Sequence, residues 1–446
     1  MPEDKSLSDE AVAAFLEGLK KVDPRVLLRE RVRLAGDTLH VFDEAIDLGR
    51  IRRILVVAFG KAASRMTASL ESILGDRIER GIVLSNVFPE SLPEKYSARL
   101  CTHPLLSEEN VSAGRAVMEL AVAAGEGDLV VCLISGGGSS ILTLPAEGIR
   151  LDETREAMRQ MLRSGAPIDK LNVVRKHLSA VKGGRLLHAI APAGVVSLIL
   201  SDVPGDDPSI VASGPTSPDP STFADAWSAV EQLGVSDSLP VAIVSYLQKG
   251  LKGEVEETPK PGGVLSAKVS NHIIGCNRDM LAAMEAHLRS RGFWTMQERR
   301  YFEGEARELG GSLAARIRGL AASLPQSSRP YALLAGGEST VRVRGGGLGG
   351  RNSELALAAA IGLDGGGECV VLAAGTDGID GPSDAAGAVA LGDTISRSKQ
   401  IGLDARRALD DNDSYNFFEP LGDLVKTGPT GTNLMDVTLA LVGRKY

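Results

Sequence analysis

Short apolar runs alternate with longer amphipathic stretches along most of the chain. A glycine or a serine closes most of these runs, and several are followed by a segment with helical periodicity, which is typical of parallel strands covered by helices. In the first half, the runs are residues 54–59 (ILVVAF), 81–85 (GIVLS), 129–134 (LVVCLI) and 195–200 (VVSLIL). In the second half, they are residues 331–335 (YALLA), 369–374 (CVVLAA) and 437–442 (VTLALV). The pattern predicts an α/β fold in both halves.

A charged stretch rich in proline and glycine separates the two halves. It covers residues 250–263, has no periodicity, and is interpreted as a linker or a long surface loop. A strand-like segment (HIIGCN) follows, then a helix over about residues 278–291 and another over about residues 304–323. We therefore predict an N-terminal doubly wound, Rossmann-like α/β/α domain over residues 1–245 and a C-terminal α/β domain over residues 262–446.

Charge and composition narrow the class of protein. The 446 residues include 49 Lys and Arg against 57 Asp and Glu, which gives a net charge of −8. This balance argues against a protein that binds nucleic acid or anionic membranes, because such proteins use a basic surface to displace counterions. No apolar run approaches the roughly 18 residues of a membrane span, and the N-terminus lacks a secretory pattern. We expect a folded, cytoplasmic protein whose four widely spaced cysteines are reduced.

Glycine-rich or polar clusters follow four of the apolar runs. In open α/β sheets, ligands bind beyond the carboxyl ends of the strands, where glycine lets the main chain come close and helix N-termini offer N–H donors. The four clusters are Gly60-Lys61, SGGGSS at residues 135–140, GGEST at residues 336–340 and GTDGIDG at residues 375–381. We expect the functional site among them.

The SGGGSS cluster and Lys61 predict contacts with an anion. Three consecutive glycines can present several main-chain N–H groups to one phosphate, and a serine can add a hydroxyl. A plain tight turn is the alternative. Lys61 opens a helix beside the positive end of its dipole, so it either contacts an anion or is an exposed lysine at a helix start. No GxxxxGK[ST] motif occurs, so a nucleotide is not held by a Walker A loop.

One GxGxxG pattern occurs, at Gly345, Gly347 and Gly350. The segment before it, residues 341–344 (VRVR), alternates apolar and charged residues, which suits a half-exposed antiparallel strand better than the buried first strand of a dinucleotide-binding unit. A nicotinamide dinucleotide site is therefore disfavoured. The same segment places Arg351 at the start of a helix, where its guanidinium needs an anionic partner.

A helix expected over residues 171–185 carries a polar, partly basic stripe. Helical spacing puts four polar residues on one face: Asn172, Arg175, Ser179 and Lys182. This stripe either faces an anion or forms a solvated surface. His103 and His177 have no second His or Cys at metal-ligand spacing, so a zinc site is not expected.

Carboxylates in turns at two strand exits suggest a divalent metal. They are Asp202, Asp206 and Asp207 in SDVPGDD, with Asp377 and Asp380 in GTDGIDG. Ordinary Asx turns explain any one of them. Because Mg²⁺ is commonly held by one or two carboxylates together with phosphate oxygens, Asp202 and Asp377 are the candidate ligands.

These motifs resemble those of the glycerate kinases that make 2-phosphoglycerate, whose C-terminal part is called the MOFRL domain. The matching stretches include GKAASRM, LISGGGSSILTLPAEGI, LNVVRKHLSAVKGGRL, LLAGGESTVRVRGGGLGGRNSELALA and AAGTDGIDGPSDAAGA, and they run in the family's order from about Gly60 to Val437. The resemblance implies ATP-dependent phosphorylation of D-glycerate with Mg²⁺, in a cleft between two α/β domains. The second domain would have a mixed sheet and include the MOFRL region at residues 330–442.

The resemblance also implies roles for single residues. Lys61 and Arg351 would take part in substrate binding and catalysis, by stabilising charge during in-line phosphoryl transfer. Asp202 or Asp377 would hold Mg²⁺ or accept the hydroxyl proton, with Asp202 counted among the catalytic residues. The expected substrate contacts are Arg175, Lys182, Ser135 and Asp377. The expected nucleotide contacts are Gly136, Gly137, Gly138, Ser139, Ser140, Gly336, Gly337 and Glu338.

Two other functions stay open. Relatives of this family have carried the label hydroxypyruvate reductase, an activity that would use NAD(P)H. The other hypothesis is a catalytically silent protein that binds a phosphorylated metabolite. The expected partners are D-glycerate and ATP, with no nucleic acid and no membrane. A homodimer is compatible with the sequence.

Overall fold

The chain divides into two units, and its N-terminal helix belongs to the C-terminal unit. The computed structural model describes residues 6–88, 91–323 and 329–443. One unit spans Pro24–Gly275, and the other combines the chain up to Asp23 with the chain from Cys276 onward. The N-terminal helix is α1 (Leu7–Lys21), whose first turn is capped by the Ser6 hydroxyl.

This division differs from the predicted boundaries. The stretch over residues 250–263 is largely irregular, as expected, but it does not link the units, because the chain passes between them at Gly275 and Cys276. Part of the stretch packs inside the first unit: the Asp219 N–H donates to the Pro259 carbonyl (2.7 Å), and Thr258 is buried. The cleft that the resemblance implies between the domains stays a prediction.

The unit over Pro24–Gly275 is built on a parallel sheet. A small antiparallel sheet precedes it, formed by β1 (Val32–Ala35), β2 (Thr38–Val41) and β3 (Glu44–Asp47). The six parallel strands are β4 (Arg53–Phe59), β5 (Ile78–Ser85), β6 (Tyr96–Leu100), β7 (Asp128–Ile134), β8 (Gly194–Leu200) and β9 (Val269–Gly275). Their order is β6-β5-β4-β7-β8-β9, which is the doubly wound arrangement and confirms the predicted fold class.

Helices cover the parallel sheet. They are α2 (Pro24–Arg31), α3 (Ala63–Leu74), α4 (Glu108–Val122), α5 (Gly138–Ile141), α6 (Leu151–Arg163), α7 (Ile168–His177), α8 (Arg185–Ile190), α9 (Phe223–Gln232) and α10 (Val241–Leu251). All seven residues of β7 are buried, which explains why this strand reads as a continuous apolar run. Leu55, Val57 and Phe59 of β4 belong to a buried cluster that also includes residues of α4 and α8.

The doubly wound order creates a switch point between β4 and β7. The chain leaves β4 toward β5 and leaves β7 toward β8, so the connections diverge beyond Phe59 and Ile134. Ligands of doubly wound sheets bind in the crevice at such a point, beyond the carboxyl ends of the strands.

The other unit contains a mixed sheet of seven strands, as predicted. The strands are β10 (Trp294–Gln297), β11 (Phe302–Glu305), β12 (Tyr331–Thr340), β13 (Cys369–Gly375), β14 (Gly387–Leu391), β15 (Leu424–Val425) and β16 (Asp436–Val442). The order is β10-β12-β16-β13-β14-β15, and β11 also pairs with β12. Both β10 and β11 are parallel to β12, whereas β16 is antiparallel to β12 and β13.

Helices pack around the mixed sheet as well. After α1 they are α11 (Asn277–Ser290), α12 (Ala306–Ser323), α13 (Arg351–Leu363), α14 (Thr394–Gln400), α15 (Ala405–Asp410) and α16 (Ser414–Phe418). The prediction of an antiparallel strand over residues 341–344 is wrong, because β12 ends at Thr340 and the segment after it is irregular. Among the residues that the structure describes, no helix is both long and apolar enough to cross a membrane.

Candidate active site

The exits of β4 and β7 are bonded to each other at the switch point. The Lys61 N–H donates to the Gly136 carbonyl (2.9 Å), and the Ala62 N–H donates to the Ser135 hydroxyl (3.0 Å). Gly60 has a φ of +117°, and a Cβ there would lie 2.3 Å from the Ser135 Oγ. Only glycine permits this approach, so the structure brings the predicted Lys61 and SGGGSS clusters together.

Gly137 lies at the centre of this arrangement, where it begins the short helix α5. Its φ of +78° is left-handed, and a Cβ there would lie 2.9 Å from the His103 ring and 3.4 Å from the Lys61 Cγ. His103 is therefore a neighbour of the site that the sequence analysis considered only as a metal ligand. Its position shortly after β6, in a strand exit like the others, is the signal that could have identified it.

A strained turn packs against α5 from the β8 side. Ala212 and Ser213 have left-handed φ angles of +52° and +63°, which cost free energy for residues other than glycine. The Ser213 and Ser139 hydroxyl oxygens lie 3.0 Å apart. A Cβ on Gly138 would stand 2.7 Å from the Ala212 Cβ. Ser213 could not be found from the sequence, because serine does not favour the left-handed conformation that it adopts here.

The Lys182 side chain binds the main chain of α5 and of the residue that follows it. Helix α7 ends at His177, so Ser179 and Lys182 lie beyond it and the expected helical stripe is interrupted. The Lys182 ammonium is buried and donates to the carbonyls of Ser139 and Leu142, both at 2.7 Å. Burial, with a smaller contribution from nearby Arg175, lowers the pKa of Lys182 to about 7. This geometry gives Lys182 a positioning role, which differs from the predicted contact with substrate.

Arg175 remains a candidate for binding an anion. Its Nη1 donates to the Asn172 side chain (2.8 Å), and no carboxylate partner for it occurs within the described ranges. Burial lowers its pKa below the ordinary value, although a guanidinium stays charged at neutral pH. A half-buried cation with a neutral partner is well suited to an anionic ligand.

Asp202 lies at the same edge of the sheet. It follows β8, which neighbours β7, and it is partly exposed. Asp207 accepts from the Ser209 N–H (2.8 Å), so it forms the ordinary Asx turn that was the alternative for these residues. The three predicted carboxylates of this loop therefore separate into Asp202 near the strand exit and two residues of the following turn.

Arg351 is held by two acidic residues in the other unit. It is the first residue of α13; its Nε and Nη2 donate to the two Asp436 carboxylate oxygens (2.5 and 3.1 Å), and its Nη1 donates to Glu338. Burial raises the pKa of Asp436 to about 6, against the opposing effect of Arg351. The Arg351 side chain is 35% exposed, so part of it faces solvent.

Asp377 lies beside this ion pair. A Cβ on Gly375 would stand 3.2 Å from Asp377 Oδ1, 3.3 Å from Asp436 Oδ1 and 3.4 Å from Asn352 Nδ2. Asp380 has a different position: its carboxylate accepts from the main-chain N–H groups of Asn352 (2.9 Å) and Ser353 (2.8 Å) at the start of α13. Asp380 is therefore a helix cap, while Asp377 remains near Arg351.

The GGEST cluster lies inside β12 and not at its exit, which corrects the sequence expectation. Gly336 is paired with Val437 of β16, and Gly337 with Asp436. A Cβ on Gly336 would collide with the Asn277 side chain, and one on Gly337 with the Phe302 main chain. Close packing thus accounts for both glycines. The predicted nucleotide contacts of Gly336, Gly337 and Glu338 stay predictions.

The GxGxxG loop is already filled by residues of the same unit. Its main-chain N–H groups donate to side chains of the DNDS segment at residues 411–414. Gly346 donates to Asp411 (3.1 Å), Leu348 to Asp413 (2.8 Å) and Gly345 to Asn412 (3.1 Å). A Cβ on Gly347 would lie 2.4 Å from the Asp413 Cβ. Because these carboxylates and the Asp380 cap occupy the donors, the loop offers no cradle for a pyrophosphate.

Comparison with known proteins adds the family. One family model, described as a domain of unknown function (DUF4147), matches residues 10–248, and the MOFRL family model matches residues 331–436. A D-glycerate 2-kinase of Thermotoga maritima is 37% identical over 427 residues, covering 96% of this chain and 99% of that protein. A putative hydroxypyruvate reductase of Agrobacterium vitis is 39% identical over 88% of this chain and 87% of its own length.

A solved structure agrees with this relationship. The crystal structure of a glycerate kinase from Thermotoga maritima is 36% identical, covers 98% of this chain and 99% of its own, and superposes with a TM-score of 0.84. Both family models and near-complete coverage lead to the same assignment. The chain, which matches both the DUF4147 and the MOFRL models, belongs to the glycerate kinase family.

Proposed function

We propose that this protein is an ATP-dependent kinase that phosphorylates D-glycerate to 2-phosphoglycerate. The observation that carries the proposal is the contact of Lys61 with the SGGGSS loop at the switch point, where the Lys61 N–H binds the Gly136 carbonyl (2.9 Å). A lysine beside a loop of glycines and serines suits a phosphate-bearing ligand. The D-glycerate 2-kinase relative, which matches 96% of this chain, supports the choice of substrate.

The reaction is an in-line displacement. The glycerate 2-hydroxyl oxygen forms a bond to the γ-phosphorus of ATP, the bond to the β,γ-bridging oxygen breaks, and ADP leaves. Catalysis of this step depends on positioning and on compensating the phosphoryl charge. Lys61 and Arg351 supply positive charge, the SGGGSS loop supplies N–H and hydroxyl donors, and Arg175 binds an anionic group. Asp202 or Asp377 accepts the proton that the hydroxyl loses.

Mg²⁺ is part of the proposal. Within the described ranges, no group of three or more His, Cys, Asp or Glu side chains could hold a metal by itself. This fits Mg²⁺, which usually takes one or two protein carboxylates and completes its coordination with water and phosphate oxygens. Asp202 or Asp377, each partly exposed after a strand, is the residue that would hold it. When bound, it would neutralise charge on the nucleotide phosphates.

The reductase alternative finds no support in the glycine loop. Such an enzyme needs a site for a dinucleotide pyrophosphate, and the GxGxxG donors are taken by Asp411, Asn412 and Asp413. A silent metabolite-binding protein is less consistent with the close match to named kinases. A cytoplasmic location stays a prediction, and a homodimer stays one option for the oligomeric state.

A paired assay tests the proposal. The purified chain is incubated with ATP, Mg²⁺ and D-glycerate, and in parallel with NADH and hydroxypyruvate. We expect ADP release that depends on D-glycerate, and no NADH oxidation. NADH oxidation by the purified chain would support the reductase, and inactivity in both assays combined with measurable ATP binding would support the silent protein.

A further inference from the structure

A pocket of about 370 Å³ in the C-terminal unit is lined by three arginines. Arg278 is the second residue of α11, and Arg299 and Arg300 lie between β10 and β11. Tyr301, Glu298 and Gly336 also line this space, which we call the arginine pocket. None of the three arginines was singled out by a motif, because they come from two separate segments of the sequence.

The charge of the arginine pocket is uncompensated. All three arginine side chains are exposed, and over the described residues none of them has a carboxylate partner. The carboxylate of Glu298 is bound by Arg316, which lies on α12. Three guanidinium groups around one space repel each other unless an anion offsets their charge. In a chain with a net charge of −8, such a concentration points to an anionic ligand.

The pocket lies at the same edge of the mixed sheet as Arg351. The Asn277 side-chain amide, at the start of α11, donates to the Asp436 carbonyl (3.0 Å), while Arg351 binds the Asp436 side chain. Helices α11 and α13 therefore both begin at this one residue of β16. Gly336, which lines the pocket, precedes Glu338, the second partner of Arg351, by two positions in β12.

A buried polar atom lies against Gly336, one of the residues that line the pocket. The Asn277 Oδ1 is buried and has no hydrogen-bond partner among the described residues. It lies where a Cβ of Gly336 would stand, so a larger residue at 336 would collide with the Asn277 side chain. An unpartnered buried acceptor costs free energy unless a donor reaches it.

We propose that the arginine pocket binds the polyphosphate chain of the nucleotide. Guanidinium groups bind phosphate oxygens in pairs, and three of them match several adjoining phosphates better than a single monoester. The N-terminus of α11, a helix of 14 residues, adds a favourable dipole. The inference rests on the proposed function, since it takes ATP to be the phosphoryl donor. The phosphate of 2-phosphoglycerate has the same chemistry, so the test separates the two.

The test measures binding without turnover. Arg278→Gln, Arg299→Gln and Arg300→Gln are made singly and together, and Arg406→Gln is the control, because Arg406 is an exposed arginine of α15 outside the pocket. Calorimetry gives the Kd of each protein for ADP and for 2-phosphoglycerate. We expect the triple variant to bind ADP at least about tenfold more weakly, with Arg406→Gln unchanged and 2-phosphoglycerate binding little affected.

Three results would overturn the inference: an unchanged Kd for ADP in the triple variant, a loss confined to 2-phosphoglycerate, or an equal loss in Arg406→Gln. Circular dichroism checks that the variants are folded, and the single variants decide the outcome if the triple variant is not. The glycerate assay is read separately on the unaltered protein. Inactivity there would contradict the proposed function, whereas ADP binding lost with the arginines would still assign the pocket.

Discussion

Lys61 is the residue whose removal should impair the reaction most selectively. Its side chain carries a positive charge at the switch point, and its N–H binds the Gly136 carbonyl through the main chain, which a substitution preserves. Lys61→Ala should fold normally and lower kcat by about 10²–10³, since one preorganised electrostatic contact typically contributes that much. Steady-state kinetics with ATP and D-glycerate provide the measurement.

The matched control for Lys61 is Lys249→Ala. Lys249 is an exposed lysine near the end of α10 in the same unit, so its removal makes the same change in net charge. It should keep the original rate. If Lys61→Ala also turns over at that rate, Lys61 is not part of the site.

Asp202 and Asp377 are distinguished by their dependence on Mg²⁺. Asparagine keeps the side-chain oxygen that accepts from the Ile379 N–H in the case of Asp377, but removes the charge. Asp202→Asn and Asp377→Asn should both lower activity. The variant that has lost the metal ligand should also need about tenfold more Mg²⁺ for half-maximal rate.

Magnesium titrations of the rate make this measurement, with exposed Asp237→Asn as control. If both variants match the unaltered protein in rate and in Mg²⁺ dependence, the assignment of the metal to these carboxylates is wrong.

At the scale of single elements, two glycines allow the cost of backbone strain to be distinguished from an effect on activity. Gly137 is the N-cap residue of α5, and Gly148 lies in a later loop. Gly137 and Gly148 both have left-handed φ angles, +78° and +84°, but only a Cβ on Gly137 would meet His103 and Lys61, whereas a Cβ on Gly148 would meet nothing within 4 Å. Alanine at Gly148 should lower the free energy of unfolding by about 1–2 kcal/mol, and alanine at Gly137 should lower it by at least as much. Only Gly137→Ala should also lose activity, by about tenfold or more.

Urea unfolding and kinetics on the two glycine variants give both quantities. An equal activity in Gly137→Ala and Gly148→Ala would show that the space around Gly137 does not matter for the reaction.

The buried Lys182 makes the free energy of unfolding depend on pH. Because its pKa in the folded protein is about 7, well below the ordinary lysine value, the unfolded chain binds more protons between pH 7 and about 10. The penalty for burying the charged ammonium is fully present below pH 7 and decreases as pH rises. The difference in unfolding free energy between the unaltered protein and Lys182→Met should therefore increase from pH 7 to pH 9, by at most about 1.4 kcal/mol per pH unit.

Urea unfolding of both proteins at the two pH values provides the measurement. A difference that does not increase with pH would mean that the pKa of Lys182 is not lowered in the fold. Activity of Lys182→Met should also be reduced, because the carbonyls of Ser139 and Leu142 lose their donor.

The main strands could be predicted from the sequence, but several small elements could not. The apolar runs at 54–59 and 129–134 became β4 and β7 with a change of one residue at the start, because a strand buried on both faces must be apolar throughout. The extension of β12 through GGEST was missed. Its glycines are required by the packing of Asn277 and Phe302, which come from elsewhere in the chain.

At the scale of the whole molecule, the sequence predicts the local elements. It does not predict which distant segments pack or pair with each other. Strand β9 was assigned to the second domain by its place in the chain, yet it pairs with β8 in the first sheet. Helix α1 joins the unit that begins at Cys276. Both depend on tertiary contacts that one sequence does not display.

The candidate site divides in the same way. Lys61 and the SGGGSS loop could be found because each follows an apolar run and the exits of neighbouring parallel strands meet. His103 could have been found by the same argument, because it follows β6. Ser213 and the arginine pocket could not, because a left-handed turn and two separate segments bring them into place.

In the proposed reaction, the γ-phosphoryl group of ATP passes to the 2-hydroxyl of D-glycerate. The most direct measurement follows ³²P-labelled γ-phosphate in the presence of the purified chain, Mg²⁺ and D-glycerate, and identifies the product by chromatography and ³¹P NMR. We expect label in 2-phosphoglycerate, equal in amount to the ADP formed and absent without D-glycerate. Label that appears only in inorganic phosphate, or in no product at all, would contradict the proposed reaction.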